Sequence, residues 1–202
     1  MNADRLRRFA LPALVVAAGL SLPAAGPALL RRDADQLKQK IAAIAEHGTK
    51  ASPQAMMTTV TEQEVNAYLA FEAAPDLPAG VVDPSISILD DSRLVGRAVV
   101  DLDRVRQERN PTSLLDPVRY LRGRVMVKAT GILHAASGLA RLDLESADIA
   151  GVPIPKVLLQ QIVTYYSRSP EHPSGIELDD PFPLPAGIRE LRVEAGRAVV
   201  VQ

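Results

Sequence analysis

RVMVKATGILHAASGLARLDLESADI occupies Arg124–Ile149, and its reading decides the fold. On both sides of AASG, aliphatic residues alternate with polar ones, the pattern of two half-buried strands joined by a tight connection. In the second arm Leu142 and Leu144 face one way, and Arg141, Asp143 and Glu145 the other. Two such arms make an antiparallel hairpin with one apolar and one wet face. Setting His134 opposite Leu139 puts Ile132 opposite Arg141, Thr130 opposite Asp143 and Lys128 opposite Glu145. Val127, Ala129, Leu142 and Leu144 then point inward, and a slip of one residue would bury Asp143 and Glu145.

Working outward, Ser85–Leu89 alternates, DDSR supplies a turn, and Leu94–Leu102 returns as a strand. NPTSLLDPVRYLRG then predicts a short helix capped by Asp116, with Pro117 in its first turn and Gly123 as its stop. Further upstream, Thr61 and Glu64 make a capping box and Val60 and Val65 a hydrophobic staple. That helix, EQEVNAYLAFE, buries Val65, Tyr68 and Leu69, and Pro75 and Pro78 end it. Asn66 lies beside the buried stripe, and its expected partner is the backbone of a strand end. Asp33–Glu46 reads as an earlier amphipathic helix with Leu37, Ile41 and Ile44 on one face and Gly48 as its C′ stop. GTKASPQAMMTTV follows as a linker.

Downstream, GVPIPKVLLQQIVTYYSR predicts a helix that tolerates Pro153 and Pro155 only in its approach or first turn. Ile154, Leu158, Ile162 and Tyr165 form one apolar row; Leu159, Val163 and Tyr166 form another. This face is wider than the ~100° stripe of a helix lying on a sheet. Leu158 and Ile162 are expected to be buried. A Pro-rich loop and a closing hairpin complete the chain. LPAG precedes a β-branched residue at Val81 and again at Ile188, and GRAVV occurs at Gly96–Val100 and Gly196–Val200. The first GRAVV falls inside a strand and the second begins in a turn, so LPAG is read as a reused turn and strand start; duplication is left open.

The N-terminal stretch is an address. Arg5, Arg7 and Arg8 precede an uncharged run, Phe9–Leu30, of 22 residues, the n-region and h-region of an export signal. Small residues about Ala28 favour cleavage there; the alternative is an uncleaved anchor, against which Pro12, Pro23 and Pro27 argue. Either way the domain is expected outside the cytoplasm. The chain thus divides into a leader at 1–28, a helix and linker at 29–59, and a single α+β domain at 60–202.

The 202 residues carry a net charge of −1, no cysteine and no tryptophan, with aromatics at 3%. The core must therefore be aliphatic. Disulfides, thiolate metal sites and cysteine nucleophiles are excluded, and no basic run suits nucleic acid. His47 at a helix end, His134 beside a turn and His172 in a loop lack metal-ligand spacing. Asp90-Asp91 and Asp179-Asp180 sit in turn signals, and Asp101 and Asp103 read as a solvated strand edge. No G-x-S-x-G elbow or P-loop occurs. No metal, cofactor or catalytic residue is expected.

VTEQEVNAYLA, IAGVPIPKVLLQQIV and PFPLPAGIRELRVEAGRAVVV resemble small bacterial envelope proteins of the YpmS-like and LmeA-like kind, and more loosely the tubular lipid-binding superfamily. The resemblance implies an exported domain, a long curved sheet wrapped around helices, and lipid handling. The insert DLDRVRQERNPTSLLDPVRYLRG departs from that pattern. The fold expected is α+β, a curved antiparallel β-sheet wrapped around or packed on two to three amphipathic helices. The candidate lipid groove comprises Val65, Leu69, Leu158, Leu159, Ile162, Val163 and Tyr166, with lipid and a membrane surface or envelope protein as partners. A non-catalytic scaffold with a filled core is the alternative.

Overall fold

The computed structural model describes residues 29–50, 54–75, 77–109, 122–166, 174–175 and 177–202. The expected helix at Asp116 and the leader lie outside them, as do the side chains of Ile162, Tyr165 and Tyr166.

The hairpin forms as β4 (Arg124–Ala136) and β5 (Leu139–Ile149). Its turn is only Ser137-Gly138, with φ of 55° and 80°, the two positive dihedrals of a type I′ connection. His134 therefore faces Arg141, not Leu139, and Ile132 faces Asp143. Further along, Gly131 pairs with Leu144 but Thr130 with Ser146, leaving Glu145 as an inserted residue. The expected Thr130–Asp143 and Lys128–Glu145 pairs are thus replaced: Lys128 lies opposite Asp148. Glu145 instead accepts from Arg93 Nε at 2.9 Å. The cause lies in the phase of the apolar residues, which run Leu142, Leu144 and then Ala147, Ile149. Only an extra residue between the pairs keeps all four on one face.

The larger sheet adds β2 (Val81–Ile88), β3 (Arg93–Asp101), β6 (Val152–Pro153) and β7 (Phe182–Pro183). It runs β2-β3-β4-β5-β6, with β7 also on β5, and every pair is antiparallel. Pro84, which has no N–H to donate, falls in a register shift between Val82 and Ser85. The smaller sheet runs β1-β9-β8 from β1 (Met57–Thr61), β8 (Glu190–Glu194) and β9 (Arg197–Val201). Met57–Val60, assigned to a linker by composition, is therefore part of a strand that ends at the cap residue Thr61 and is held by β9.

Two helices build the closed core. In α2 (Glu62–Phe71) the capping box forms: Glu64 N–H donates to Thr61 Oγ1 at 3.2 Å, and Thr61 N–H to Glu64 Oε2 at 2.8 Å. α1 (Arg31–Gly48) packs on α2 and buries Ala34, Leu37 and Ile44; Ile41 is 44% exposed, contrary to expectation. Leu37, Ile44, Val60 and Val200 form one buried cluster, against which Val65, Tyr68, Ile188 and Leu191 pack. Gly48 does not end the helix in a left-handed turn. It is the last helical residue, and a Cβ there would collide with the Ala186 carbonyl.

α2 also finishes an edge of the larger sheet. Asn66 Nδ2 donates to Ile86 O and Ile86 N–H donates to Asn66 Oδ1, both at 2.8 Å. Glu62 accepts from Ile88 N–H at 2.7 Å. Residues four apart on a helix are separated by about 6 Å and residues two apart on a strand by about 6.8 Å, so the side chains match the strand's spacing. An edge that would otherwise present free backbone groups is covered.

Asp101 is buried, not solvated. It caps α3 (Leu102–Arg109) by accepting from Arg104 N–H at 3.1 Å, and it pairs with Arg124. The two LPAG copies close the same backbone hydrogen bond, Val81 to Pro78 and Ile188 to Pro185, each at 3.1 Å. Their turns differ, because only Gly80 has positive φ in the first, whereas Ala186 and Gly187 both do in the second. Gly96 lies within β3 and Gly196 precedes β9, as read.

Candidate functional site

Directly opposed residues share a face of a sheet, so the register assigns the faces of β2–β6. One ladder runs Ile88–Leu94–Gly131–Leu144, the next Ile86–Gly96–Ala129–Ala147. A third runs Ala98–Val127–Ile149–Val152, and Val81–Val100–Val125 lies beyond it. This face carries no charge. The other carries ladders such as Ser85–Arg97–Lys128–Asp148 and Ser87–Val95–Thr130–Ser146.

Burial on the apolar face is incomplete along its length. Toward the Ser137-Gly138 turn Ile88, Gly131, Ala135 and Ala140 are buried but Leu94, Leu133, Leu142 and Leu144 only half-buried, and β8 packs on β4. Ala98, Val100, Val125, Val127 and Ile149 are only half-buried, and Val152 is exposed; Ala147 is the buried exception at this end. The middle of the face is lined by small residues: Gly96, Ala98, Ala129 and Ala147. A Cβ on Gly96 would meet nothing within 4 Å, whereas one on Gly131 would lie 2.9 Å from Asp143 O. Gly131 is needed for a close approach. Gly96 borders open space.

The helical residues expected to line a groove are divided between two places. Val65 packs into the closed cluster and Leu69 is half-buried on the same helix, which flanks β2. α4 (Lys156–Tyr166) packs on β5 instead. There Leu159 and Val163 are half-buried, and the side chains of Ile162 and Tyr166 fall outside the described residues. Leu158, expected to be buried, is 45% exposed. An amphipathic pattern identifies the apolar face of a helix without saying what covers it. The strand residues of the apolar face were missed, although the alternation of Leu94, Gly96, Ala98 and Val100 in β3 carries the signal.

Polar groups cluster on the wet face of the hairpin. Asp143 contacts His134 Nε2 at 3.0 Å and Arg141 Nε at 2.8 Å. A depression of about 300 Å³ beside them is lined by His134, Leu139, Arg141, Asp179 and Pro181, among others. Among the described residues that line it there is no serine, threonine or lysine. Lys156 holds Asp179 at 2.7 Å, and Asp90 accepts from Ala195 N–H at 3.2 Å, both structural uses of the acidic loops. His47 is buried, and its Nδ1 has no hydrogen-bond partner among the described residues. Among the described residues, no group of three or more His, Asp or Glu could hold a metal ion, and no helix is long and apolar enough to cross a membrane.

Two buried residues, Glu64 and Asp101, have carboxyl groups shifted toward the ionised form. Burial acts to raise the pKa of Glu64, but hydrogen bonds from Lys40 and Thr61 and the Lys40 charge outweigh it and hold the group below the usual range. The Arg104 N–H, then Arg124, act similarly on Asp101 against the cost of desolvation. Comparison with family models, curated proteins and solved structures finds no match to this chain.

Proposed function

We propose that the protein is an exported, non-catalytic carrier that holds the acyl or isoprenoid part of a lipid against the apolar face of β2–β6. The observation that carries this reading is Gly96. Glycine within a strand weakens it by roughly 0.5–1 kcal/mol, and here neither crowding nor a positive φ requires it. Its lack of a side chain keeps space open in the middle of an uncharged, half-buried face. Aliphatic walls of this kind suit a lipid tail. The leader sequence and the resemblance to envelope proteins support the extracytoplasmic setting.

The test is lipid extraction and native mass spectrometry of protein purified from a membrane-free fraction, for the wild type and for Gly96→Val. The wild type is expected to carry phospholipid or isoprenoid. Gly96→Val is expected to carry less while melting no lower, because valine favours strands. A lipid-free wild type of full stability would replace this reading with that of an envelope scaffold.

A further inference from the structure

Beside the tip of the β4–β5 hairpin lies the depression of about 300 Å³. Ala136 and Leu139, directly opposed next to the turn, give it apolar lining, and Leu139 is 51% exposed. The next pair on the same face of the hairpin, His134 and Arg141, gives it polar lining. Asp179 and Pro181 join from the segment that enters β7 and pairs with Leu139 and Ala140. A space of this volume is at the lower end of small-molecule sites, which combine apolar walls with a few converging polar groups.

Each polar group of the lining is held by a partner. Asp143 binds Arg141 in a fork, Oδ1 to Nε at 2.8 Å and Oδ2 to Nη2 at 3.0 Å, and takes His134 Nε2 on Oδ2 at 3.0 Å. Lys156 holds Asp179 through Oδ2 at 2.7 Å, and the Leu178 N–H just before it donates to Gln160 Oε1 at 2.8 Å. Both tethers run to α4. A guanidinium has more N–H groups than this fork uses, and a carboxylate more acceptor sites than one lysine fills. Among the described residues Arg141 therefore keeps its Nη1 donors, His134 its Nδ1 and Asp179 its Oδ1. These groups are fixed before a ligand arrives, which lowers the ordering cost of binding.

Charge selects the class of ligand. Arg141 and Lys156 are balanced by Asp143 and Asp179, and Glu177 and Asp180, outside the lining but in the same segment as Asp179, add only negative charge. An anionic ligand is therefore disfavoured, while a cationic one would meet the Arg141 N–H groups in the same space. A hydroxyl both donates and accepts, so neighbouring hydroxyls can take an Arg141 N–H and give a hydrogen bond to Asp179 at once. We propose that the depression binds a neutral sugar unit, with its hydroxyls on Arg141, His134 and Asp179 and its carbon skeleton against Leu139, Ala136 and Pro181. This site does not rest on the lipid-carrying reading, and either can fail alone.

The test is titration of the full-length protein with glucose, galactose, mannose, N-acetylglucosamine and their disaccharides, followed through amide chemical shifts. Glucuronate and glucosamine serve as the charged counterparts. At least one neutral sugar is expected to bind and to move the amides of Ala136, Leu139 and Arg141. Arg141→Gln and Asp179→Asn should each weaken it about tenfold, the loss of one hydrogen bond to a charged group. Ala136→Phe should block it by filling the space. All three positions are exposed, so the melting temperature should hold in each variant. Binding of no sugar overturns the proposal, as does binding that all three variants leave unchanged or shifts confined to other elements. Tighter binding of glucuronate or glucosamine, abolished by salt, also overturns it and would make this a site for charge.

Discussion

Replacing Asn66 by alanine tests how α2 and the larger sheet are joined. The side chain makes two hydrogen bonds of 2.8 Å to the backbone of Ile86. A bond of this kind contributes about 1 kcal/mol net. Ile86 and Asn66 are half-buried, so water reaches the vacated groups in part and the full penalty for an orphaned donor does not apply. Alanine returns up to ~0.7 kcal/mol through helix propensity. The expected loss is therefore about 1.5 kcal/mol, read as a lower urea midpoint at unchanged slope. Asn66→Asp separates geometry from polarity. Its carboxylate still accepts from the Ile86 N–H but sets an oxygen against the Ile86 carbonyl, so it should lose at least as much as alanine. Exchange of the Ile86 amide should accelerate in both. An alanine variant within ~0.5 kcal/mol of wild type, or an aspartate variant that keeps full stability, would refute the account of the covered edge.

Gly48→Ala should destabilise the protein although alanine is the better helix former. The propensity gain is ~1 kcal/mol, but the new Cβ meets the Ala186 backbone, and overpacking of that sort costs about 1–3 kcal/mol. A higher melting temperature would show that the α1 end does not lie against the Pro185–Ile188 turn. Glu64 makes stability depend on pH. Its folded pKa lies below the ordinary value of 4.5, so its contribution is complete above that value and is lost as pH falls through the folded pKa. Urea midpoints should fall across that acid window, and Glu64→Gln should flatten the slope; an unchanged slope would mean that the Lys40–Glu64 pair is not linked to folding.

What could be read from the sequence was mostly local. The capping box at Thr61 and Glu64 needs only four residues, and it forms as read. The hairpin was legible as a pair of strands, but not in register. A two-residue Ser137-Gly138 turn and a phase slip at Glu145 both moved the pairing, and the slip is visible only when Leu142 and Leu144 are compared with Ala147 and Ile149. β1 was missed because Met57–Thr61 has little apolar content of its own and is held by Arg197–Val201 from the far end of the chain. Asp101 was misread for a related reason: the helix it caps and the arginine it pairs with follow it, and composition alone marks it as surface.

The candidate site was harder to find, because it depends on what does not cover a surface. Helical periodicity singled out Leu158, yet the more informative position is Gly96, whose significance appears only once its neighbours across β2 and β4 are known. The division between the two sheets gives this a physical basis. Leu37, Ile44, Val60 and Val200 supply a closed cluster around α1, α2 and the smaller sheet, so the larger sheet is joined to a stable partner through Asn66, Glu62 and β8. Its own apolar face is then free to stay incompletely packed. A face filled to interior density would have a large side chain at position 96 and no space beside it. Glycine there, between Ile86 and Ala129 on the neighbouring strands, instead leaves a gap with aliphatic walls.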